Sequence, residues 1–173
     1  MWARFRASWR VAIRKGGPSL VEAAATLIEG LRERGHTLVL AESCTGGLIG
    51  AALTAVPGAS KVLWGGLISY DDDAKRELLK VSEASLHRYG AVSRAVAEEM
   101  AAGARRVAES TWSIAVTGIA GPSGGSAEKP VGTVWIAHDG PSRDARCHRF
   151  GGSRDEIREA AALEAMRWLD SRL

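Results

Sequence analysis

From Ser19 onward, segments with apolar residues at helical spacing alternate with short, continuous apolar runs, and this alternation constrains the fold of the chain most. A serine followed three residues later by a glutamate is the signature of a capping box, and it opens the first helix at Ser19 and the last at Ser153. In chain order, the spacing predicts helix 20–35, strand 37–41, a helix ending near 53, strand 61–70, helix 71–81, helix 94–108, strand 112–117, strand 131–138, strand 145–150 and helix 154–171.

This order of segments indicates an α/β fold. Strands joined through helices pair in parallel, whereas the turn at 139–141 predicts an antiparallel hairpin near the end of the chain. We therefore expect residues 19–173 to form a single-domain layered sandwich, in which a mixed, mostly parallel sheet is flanked by helices. The exposed edges of so small a sheet also predict a homo-oligomer.

The positive charge of the chain is concentrated at its start. Five basic residues precede position 16 and no acidic residue precedes Glu22, which leaves 18 basic against 20 acidic residues in the rest of the chain. The body of the protein therefore does not have the charge of a nucleic-acid-binding face. We interpret residues 1–18 as a disordered basic tail or as extra residues from an upstream start codon, with an arm for anionic surfaces or an organellar targeting peptide as alternatives.

Other residue patterns exclude several classes of protein. The longest apolar run, at 62–68, is far shorter than the roughly 18 residues that a membrane-spanning helix needs. Cys44 and Cys147 are too few for a disulfide framework, and neither the cysteines nor the scattered histidines have metal-ligand spacing. These observations predict a cytoplasmic protein without a membrane partner or a metal site.

The segment 41–47, Ala-Glu-Ser-Cys-Thr-Gly-Gly, lies where a predicted strand ends and a helix begins. Ligands of α/β proteins bind at the carboxyl ends of strands, and the unpaired N–H groups of a helix start favour an anion or a developing oxyanion. Ser43 is either a nucleophile beside these donors or, like Thr45, a simple helix cap. Cys44 is either an alternative nucleophile or a small apolar filler.

The segment 70–75, Tyr-Asp-Asp-Asp-Ala-Lys, follows another predicted strand. Its three acidic residues could bind a divalent metal, or they could cap the following helix and interact with its dipole. Lys75 is either a solvated lysine or, if it is partly desolvated near a serine, a base for that serine.

The segment 117–130 is a long loop rich in glycine, proline and serine. Such a loop inside a compact domain either wraps a phosphate or nucleoside with its backbone N–H groups or simply connects two strands. Its sequence is neither a Walker A loop nor a dinucleotide fingerprint. Arg154, at the start of the last helix, is either a clamp for a phosphate or carboxylate or a solvated arginine.

Four blocks of residues, in this order along the chain, resemble the CinA C-terminal-domain family, and the resemblance covers roughly residues 20–172. The blocks are 41–47, 66–75, 89–93 (Tyr-Gly-Ala-Val-Ser) and 117–134, which includes Gly-Ile-Ala-Gly-Pro-Ser-Gly-Gly. Bacterial members of the family include stand-alone nicotinamide-nucleotide amidases. The resemblance therefore implies hydrolysis of nicotinamide mononucleotide to nicotinic acid mononucleotide and ammonia, without a cofactor or metal.

The resemblance also implies roles for particular residues. Ser43 and Lys75 would be the catalytic pair, and Tyr70 would line the pocket or orient Lys75. Backbone N–H groups near Thr45, Gly46 and Gly47 would hold the oxyanion. The substrate would be bound by residues of the first block, of the long loop and of the last helix, with the arginine as phosphate partner: Thr45, Gly46, Gly47, Thr117, Gly118, Gly121 and Arg154.

The chain departs from the family pattern in its second block. Members commonly read Tyr-Ser-Asn-Glu-Ala-Lys there, so Asp72 stands in place of asparagine. Unless it turns away, a carboxylate at this position would favour the charged ammonium of Lys75 and weaken it as a base. The alternative function is a catalytically silent module that binds a pyridine nucleotide or contacts a competence or DNA-damage partner. No segment corresponds to the family's N-terminal domain that resembles molybdopterin-binding proteins, so we expect the stand-alone form without nucleotide-pyrophosphatase activity.

Overall fold

A computed structural model of the chain describes residues 19–173, and the predicted basic tail at 1–18 lies outside this part. The helices are α1 (Leu20–Glu33), α2 (Leu48–Thr54), α3 (Asp72–Leu79), α4 (Glu83–Tyr89), α5 (Arg94–Ala108) and α6 (Arg154–Asp170). The strands are β1 (Leu38–Glu42), β2 (Leu63–Ile68), β3 (Trp112–Gly118), β4 (Thr133–Asp139) and β5 (Asp144–Arg149).

Local sequence signals account for most of these elements. Both predicted capping boxes are confirmed, since Ser19 and Ser153 each accept a hydrogen bond from a backbone N–H of the first helical turn and their own N–H groups donate to glutamate. Helix α4 was not predicted, because seven residues are too few to show a helical period. Ser82 caps this helix by accepting a hydrogen bond from the Ser85 amide.

The sheet has the strand order β2-β1-β3-β4-β5. Strand β1 pairs in parallel with both β2 and β3, while β4 is antiparallel to both of its neighbours, β3 and β5. Four of the five strands thus point in one direction, as the predicted mostly parallel sheet requires. The pairings themselves divide evenly between parallel and antiparallel, because β4 lies between two strands that both oppose it.

Alternate residues of β1 face two separate apolar layers. Leu38 and Leu40 pack with α1, α2 and α6 on one side of the sheet, and Val39 and Ala41 pack with α3 and α5 on the other. Helix α3 approaches α5 so closely that a Cβ on Gly103 would lie 1.9 Å from the Leu79 carbonyl oxygen. This close contact fixes α3, and with it Lys75, against the second side of the sheet.

Strand β2 forms one edge of the sheet and exposes Trp64 and Ile68, which are 56% and 55% accessible. The homo-oligomer expected from such edges stays a prediction. In the part of the chain that the structure describes, no helix combines the length and apolar character that crossing a bilayer requires.

Candidate active site

Three hydroxyl residues form a row at the carboxyl ends of the parallel strands. The pairing of β1 with its neighbours continues one residue further, because the Ser43 amide donates to the Val116 carbonyl and the Ser69 amide donates to the Glu42 carbonyl, both at 2.9 Å. Ser69, Ser43 and Thr117 therefore lie side by side. Because residues alternate along a strand, this row is on the same side of the sheet as α3 and α5.

Lys75 is on this side as well, on the face of α3 that packs toward α5. Only 1% of the residue is exposed, and its ammonium donates hydrogen bonds to the Tyr70 carbonyl at 3.0 Å, the Asp71 carbonyl at 3.4 Å and Asp72 Oδ1 at 3.1 Å. Asp72 does not turn away. Ser43 is buried too, and within residues 19–173 its hydroxyl has no hydrogen-bond partner, so the two residues share a face without being bonded to each other.

The three consecutive acidic residues all have partners at the start of α3. Asp71 caps the helix by accepting a hydrogen bond from the Asp73 amide at 2.8 Å, and Asp73 forms an ion pair with Arg76 at 3.2 Å. Of the two interpretations of this segment, the helix cap is the one that these contacts support. Among the described residues, no three His, Cys, Asp or Glu side chains are grouped as metal ligands.

The start of α2 is occupied by a carboxylate from within the protein. Buried Glu42 accepts hydrogen bonds from the amides of Gly47 at 3.0 Å, Ile49 at 3.2 Å and Gly50 at 2.9 Å. The Gly46 amide donates to the Ser43 carbonyl at 3.1 Å. Two of the three N–H groups expected to hold an oxyanion, those of Gly46 and Gly47, already have acceptors, so the expectation is wrong for these two in this conformation. For the Thr45 amide it stays a prediction.

The alternative role of Ser43 or Thr45 as the cap of α2 is also wrong. The N-cap position is Gly47, which has a left-handed backbone (φ 93°) and makes no side-chain cap, and the capping oxygens come from Glu42. The Thr45 hydroxyl is buried without a hydrogen-bond partner in the described part of the chain. The Ser69 hydroxyl, next to Ser43 in the row, is buried and unpartnered in the same way.

Cys44 packs into the apolar layer between the sheet and α2. Burial raises the pKa of its thiol to about 11, with the nearby Glu42 carboxylate adding to the effect. A thiol with this pKa is almost entirely protonated near neutral pH, and the thiolate is the nucleophilic form. This environment supports the interpretation of Cys44 as an apolar filler and leaves Ser43 as the nucleophile candidate of the segment.

Arg154 connects two of the predicted site segments. Its Nη1 donates to the Gly121 carbonyl at 2.7 Å and its Nη2 donates to the Tyr70 hydroxyl at 3.0 Å. Within residues 19–173, no carboxylate lies within ion-pair distance of this guanidinium. An exposed cation whose charge is not neutralised suits the predicted role of Arg154 as a partner for an anionic group.

Arg158 holds the segment that contains Ser43, and the sequence reasoning did not identify it. Its Nε donates to the Cys44 carbonyl at 3.2 Å and its Nη2 donates to the Thr45 carbonyl at 2.9 Å. The signal for it was its position four residues after Arg154, which places both side chains on one face of α6. Glu42 and Ser69 were missed as well, although Ser69 follows β2 just as Ser43 follows β1.

The long loop is anchored at both ends. The Gly132 amide donates to the Ile119 carbonyl at 2.8 Å, and Lys129 Nζ donates to the Tyr89 carbonyl at 2.6 Å. The Thr117 hydroxyl donates to the Ala91 carbonyl at 2.9 Å. These contacts bring the third block, 89–93, to the loop.

Contacts within the fold account for the residue types at Thr117 and Gly118. The Thr117 hydroxyl uses its hydrogen in the bond to Ala91, and it keeps only acceptor capacity for a ligand. A Cβ on Gly118 would lie 2.7 Å from Val134 Cγ2, so close packing against β4 requires glycine there. The substrate contacts expected of these two residues, and of Thr45, Gly46, Gly47 and Gly121, stay predictions.

Comparisons with known proteins agree with the blocks identified in the sequence. The family model described as the CinA C-terminal domain matches residues 21–173. A CinA-like protein of Geobacter sulfurreducens is 49% identical over 164 residues, which are 94% of this chain and 39% of that protein. A CinA-like protein of a Cyanothece species is 49% identical over 154 residues, which are 87% of this chain and 37% of that protein. The chain thus spans about two fifths of the length of these curated relatives.

Solved structures share the whole fold. The competence/damage inducible protein CihA of Agrobacterium tumefaciens has a TM-score of 0.85 and 41% identity, and the match covers 92% of this chain and 98% of that one. A competence-damaged protein (CinA) superfamily protein of Escherichia coli has a TM-score of 0.88 and 34% identity, with 95% and 96% covered. These structures have the same single-domain α/β architecture.

Proposed function

The chain belongs to the family of the CinA C-terminal domain, and from this membership we propose that it is a metal-independent amidase that hydrolyses nicotinamide mononucleotide. The products would be nicotinic acid mononucleotide and ammonia. The observation that carries the proposal is the placement of Ser43 and the buried amine of Lys75 on one side of the sheet, at the carboxyl ends of its parallel strands. This is where ligands of open α/β sheets bind.

In the proposed reaction, Ser43 Oγ attacks the carboxamide carbon and its proton passes to neutral Lys75. The C–N bond of the tetrahedral intermediate then breaks, and the proton on Lys75 goes to the departing nitrogen, which leaves as ammonia. Water attacks the resulting ester, gives one proton to Lys75 and forms the carboxylic acid, and that proton returns to Ser43. One amide and one water are consumed for each acid and ammonia released.

In the proposed site, Arg154 orients the substrate. Its guanidinium lies between the Gly121 carbonyl and the Tyr70 hydroxyl and has no carboxylate partner among residues 19–173. A phosphate bound there would be held by a charge-assisted hydrogen bond, and the attached nucleoside would extend toward Ser43. Tyr70 both bonds Arg154 through its hydroxyl and accepts a bond from Lys75 through its carbonyl, so it links the two parts of the site.

A second candidate function is supported by one contact. The Lys75 amine donates to Asp72 Oδ1 at 3.1 Å, and an amine held by this carboxylate is not free to take the proton of Ser43. If this ion pair persists with ligand bound, the same pocket binds a pyridine nucleotide without turning it over, or serves as an interaction module in competence or DNA-damage processes. Thermal stabilisation by the nucleotide without ammonia release would support this function.

The deciding experiment measures ammonia release from nicotinamide mononucleotide in the presence of EDTA, comparing the unaltered protein with Ser43→Ala. Release by the unaltered protein alone supports a metal-independent amidase that depends on Ser43. No release by well-folded protein contradicts the amidase and favours the binding module.

Variants of neighbouring residues test the assignment of roles. Ser43→Ala, Lys75→Ala and the double variant should lose similar amounts of kcat, because residues that act as a unit are not additive. Cys44→Ala is the matched control and should keep most of the activity. If Cys44→Ala were inactive while Ser43→Ala stayed active, the nucleophile would be the cysteine.

A further inference from the structure

We propose that Arg158 is a positioning residue for Ser43, acting together with Glu42 to hold the turn 43–47 from two sides. The proposal rests on the proposed amidase function. Arg158 is absent from the residues to which the sequence resemblance assigned a role, and its position on α6 is 114 residues away in sequence from the turn that it contacts.

The guanidinium of Arg158 satisfies consecutive carbonyl groups of the turn. It donates from Nε to the Cys44 carbonyl at 3.2 Å and from Nη2 to the Thr45 carbonyl at 2.9 Å. Its ion pair with Asp155 is longer, at 3.4 Å, and that carboxylate is 81% exposed. The main chain of the turn is therefore the principal partner of Arg158, because its bonds are shorter and better protected from solvent.

Glu42 binds the N–H groups on the other side of the same turn. Its carboxylate accepts from backbone amides at the start of α2, whereas Arg158 donates to carbonyls just before it. Charge-assisted bonds of this kind are stronger than neutral ones. The turn has an anion on its N–H side and a cation on its C=O side.

The turn needs such support because its own backbone is permissive. Gly46 and Gly47 both have positive φ values, 60° and 93°, which glycine adopts at little steric cost but does not enforce. Without external bonds, the chain after Ser43 has many accessible conformations. Arg158 removes this freedom, since its planar fork fixes two adjacent carbonyls at once.

Loss of Arg158 should therefore affect the chemical step more than substrate binding. A displacement of a reacting group by about 1 Å costs on the order of 100-fold in rate. For Arg158→Gln we expect kcat to fall by about 10- to 100-fold with KM within about twofold. Arg158→Lys keeps one donor and should recover part of kcat. Arg167→Gln, at an exposed position near the other end of α6, is the matched control and should be unchanged.

A second measurement reports on the turn without requiring turnover. In a Cys147→Ala background, Cys44 is the remaining thiol of the chain, and its burial and raised pKa make it slow to react with an aromatic disulfide reagent at pH 8. Arg158→Gln should raise the labelling rate about tenfold or more, Arg158→Lys should raise it less, and Arg167→Gln should not raise it. All variants are assayed well below their own Tm.

The outcomes separate this proposal from the proposed function. If the unaltered protein releases no ammonia, the amidase fails, and Cys44 labelling alone still decides whether Arg158 orders the turn. Unchanged labelling in Arg158→Gln overturns the proposal. So does faster labelling with an unchanged kcat, because the turn would then be loosened without moving Ser43, and so does an equal loss of kcat in Arg167→Gln.

Discussion

The Lys75 ammonium lies 3.1 Å from Asp72 Oδ1, and this contact joins a lysine side chain that is 2% exposed to a carboxylate that is 56% exposed. The Lys75 side chain is buried, but its amine points to the start of α3, where Asp72 is exposed to solvent. Ser43, on the same side of the sheet, is left without a hydrogen bond to this amine. In the proposed reaction, the Lys75 amine must exchange Asp72 for Ser43 as its partner.

Replacing Asp72 by asparagine should therefore raise kcat/KM for ammonia release at neutral pH by about two- to fivefold. This factor corresponds to the free energy of a partly exposed ion pair. The amide keeps an acceptor for Lys75 but removes the carboxylate charge that holds the amine at Asp72. Asp73→Asn is the control, because Asp73 pairs with Arg76 and not with Lys75. Equal rates for Asp72→Asn and the unaltered protein would show that the ion pair does not limit the reaction.

Glu42→Gln should lower the free energy of unfolding by about 2 kcal/mol. One carboxylate oxygen accepts from Gly47 and Ile49 and the other from Gly50, so an amide NH₂ must face at least one backbone N–H that has no other acceptor. Urea denaturation of the variant gives the loss. Glu77→Gln, at an exposed position of α3, should change the stability by less than about 0.5 kcal/mol.

Arg154→Gln should weaken the enzyme toward nicotinamide mononucleotide but not toward nicotinamide riboside, which lacks the phosphate. Loss of a charge-assisted bond to phosphate should raise KM for the mononucleotide by about 10- to 100-fold. Initial rates with both compounds measure the difference. A similar loss with the riboside would mean that Arg154 acts by holding Tyr70 and Gly121 in place.

His138 should make the protein less stable as the pH falls from about 6.5 to 4. Burial, helped by the charge of Arg172 and opposed by Asp144 and by a backbone hydrogen bond with Ser142, lowers the pKa of this histidine from 6.5 to about 4. In this window the unfolded chain binds a proton that the folded chain does not, so the free energy of unfolding decreases by about 3 kcal/mol. Above pH 6.5 this dependence should vanish.

The measurement is the pH dependence of urea denaturation in the unaltered protein and in His138→Phe. Phenylalanine keeps an aromatic ring beside Trp168, whose centroid lies 4.1 Å from that of His138, but it cannot titrate. The slope between pH 6.5 and 4 should be shallower in the variant. Parallel curves would show that other groups cause the acid sensitivity.

Gly103→Ala should destabilise the protein even though alanine favours helix by about 1 kcal/mol. The added Cβ would lie 1.9 Å from the Leu79 carbonyl oxygen, and only a backbone shift of α3 relieves the overlap, at a cost of about 1 to 3 kcal/mol or more. Gly30→Ala is the helical control, since its Cβ would meet the Leu173 side chain, which can move. Thermal unfolding should separate the two, and Gly103→Ala should also lose activity because α3 carries Lys75.

The sequence alone predicted the order and type of most elements, because each depends on neighbours a few residues away. The capping boxes at Ser19 and Ser153 and the hairpin of β4 and β5 are local patterns of this kind. The same holds for the blocks that indicated the family. The exception was α4, whose seven residues are held by a cap and by packing rather than by a visible period.

Only the tertiary structure decided how the site is held together, because its contacts join residues that are far apart in the chain. Arg158 reaches the turn after Ser43, and Arg154 reaches Tyr70, across 113 and 84 positions. A local sequence pattern cannot indicate contacts between residues so far apart in the chain, since these contacts arise when α6 packs on the sheet. For the same reason, spacing indicated free N–H donors at Gly46 and Gly47, whereas the folded chain turns the Glu42 side chain back onto α2 and uses the Gly47 donor itself.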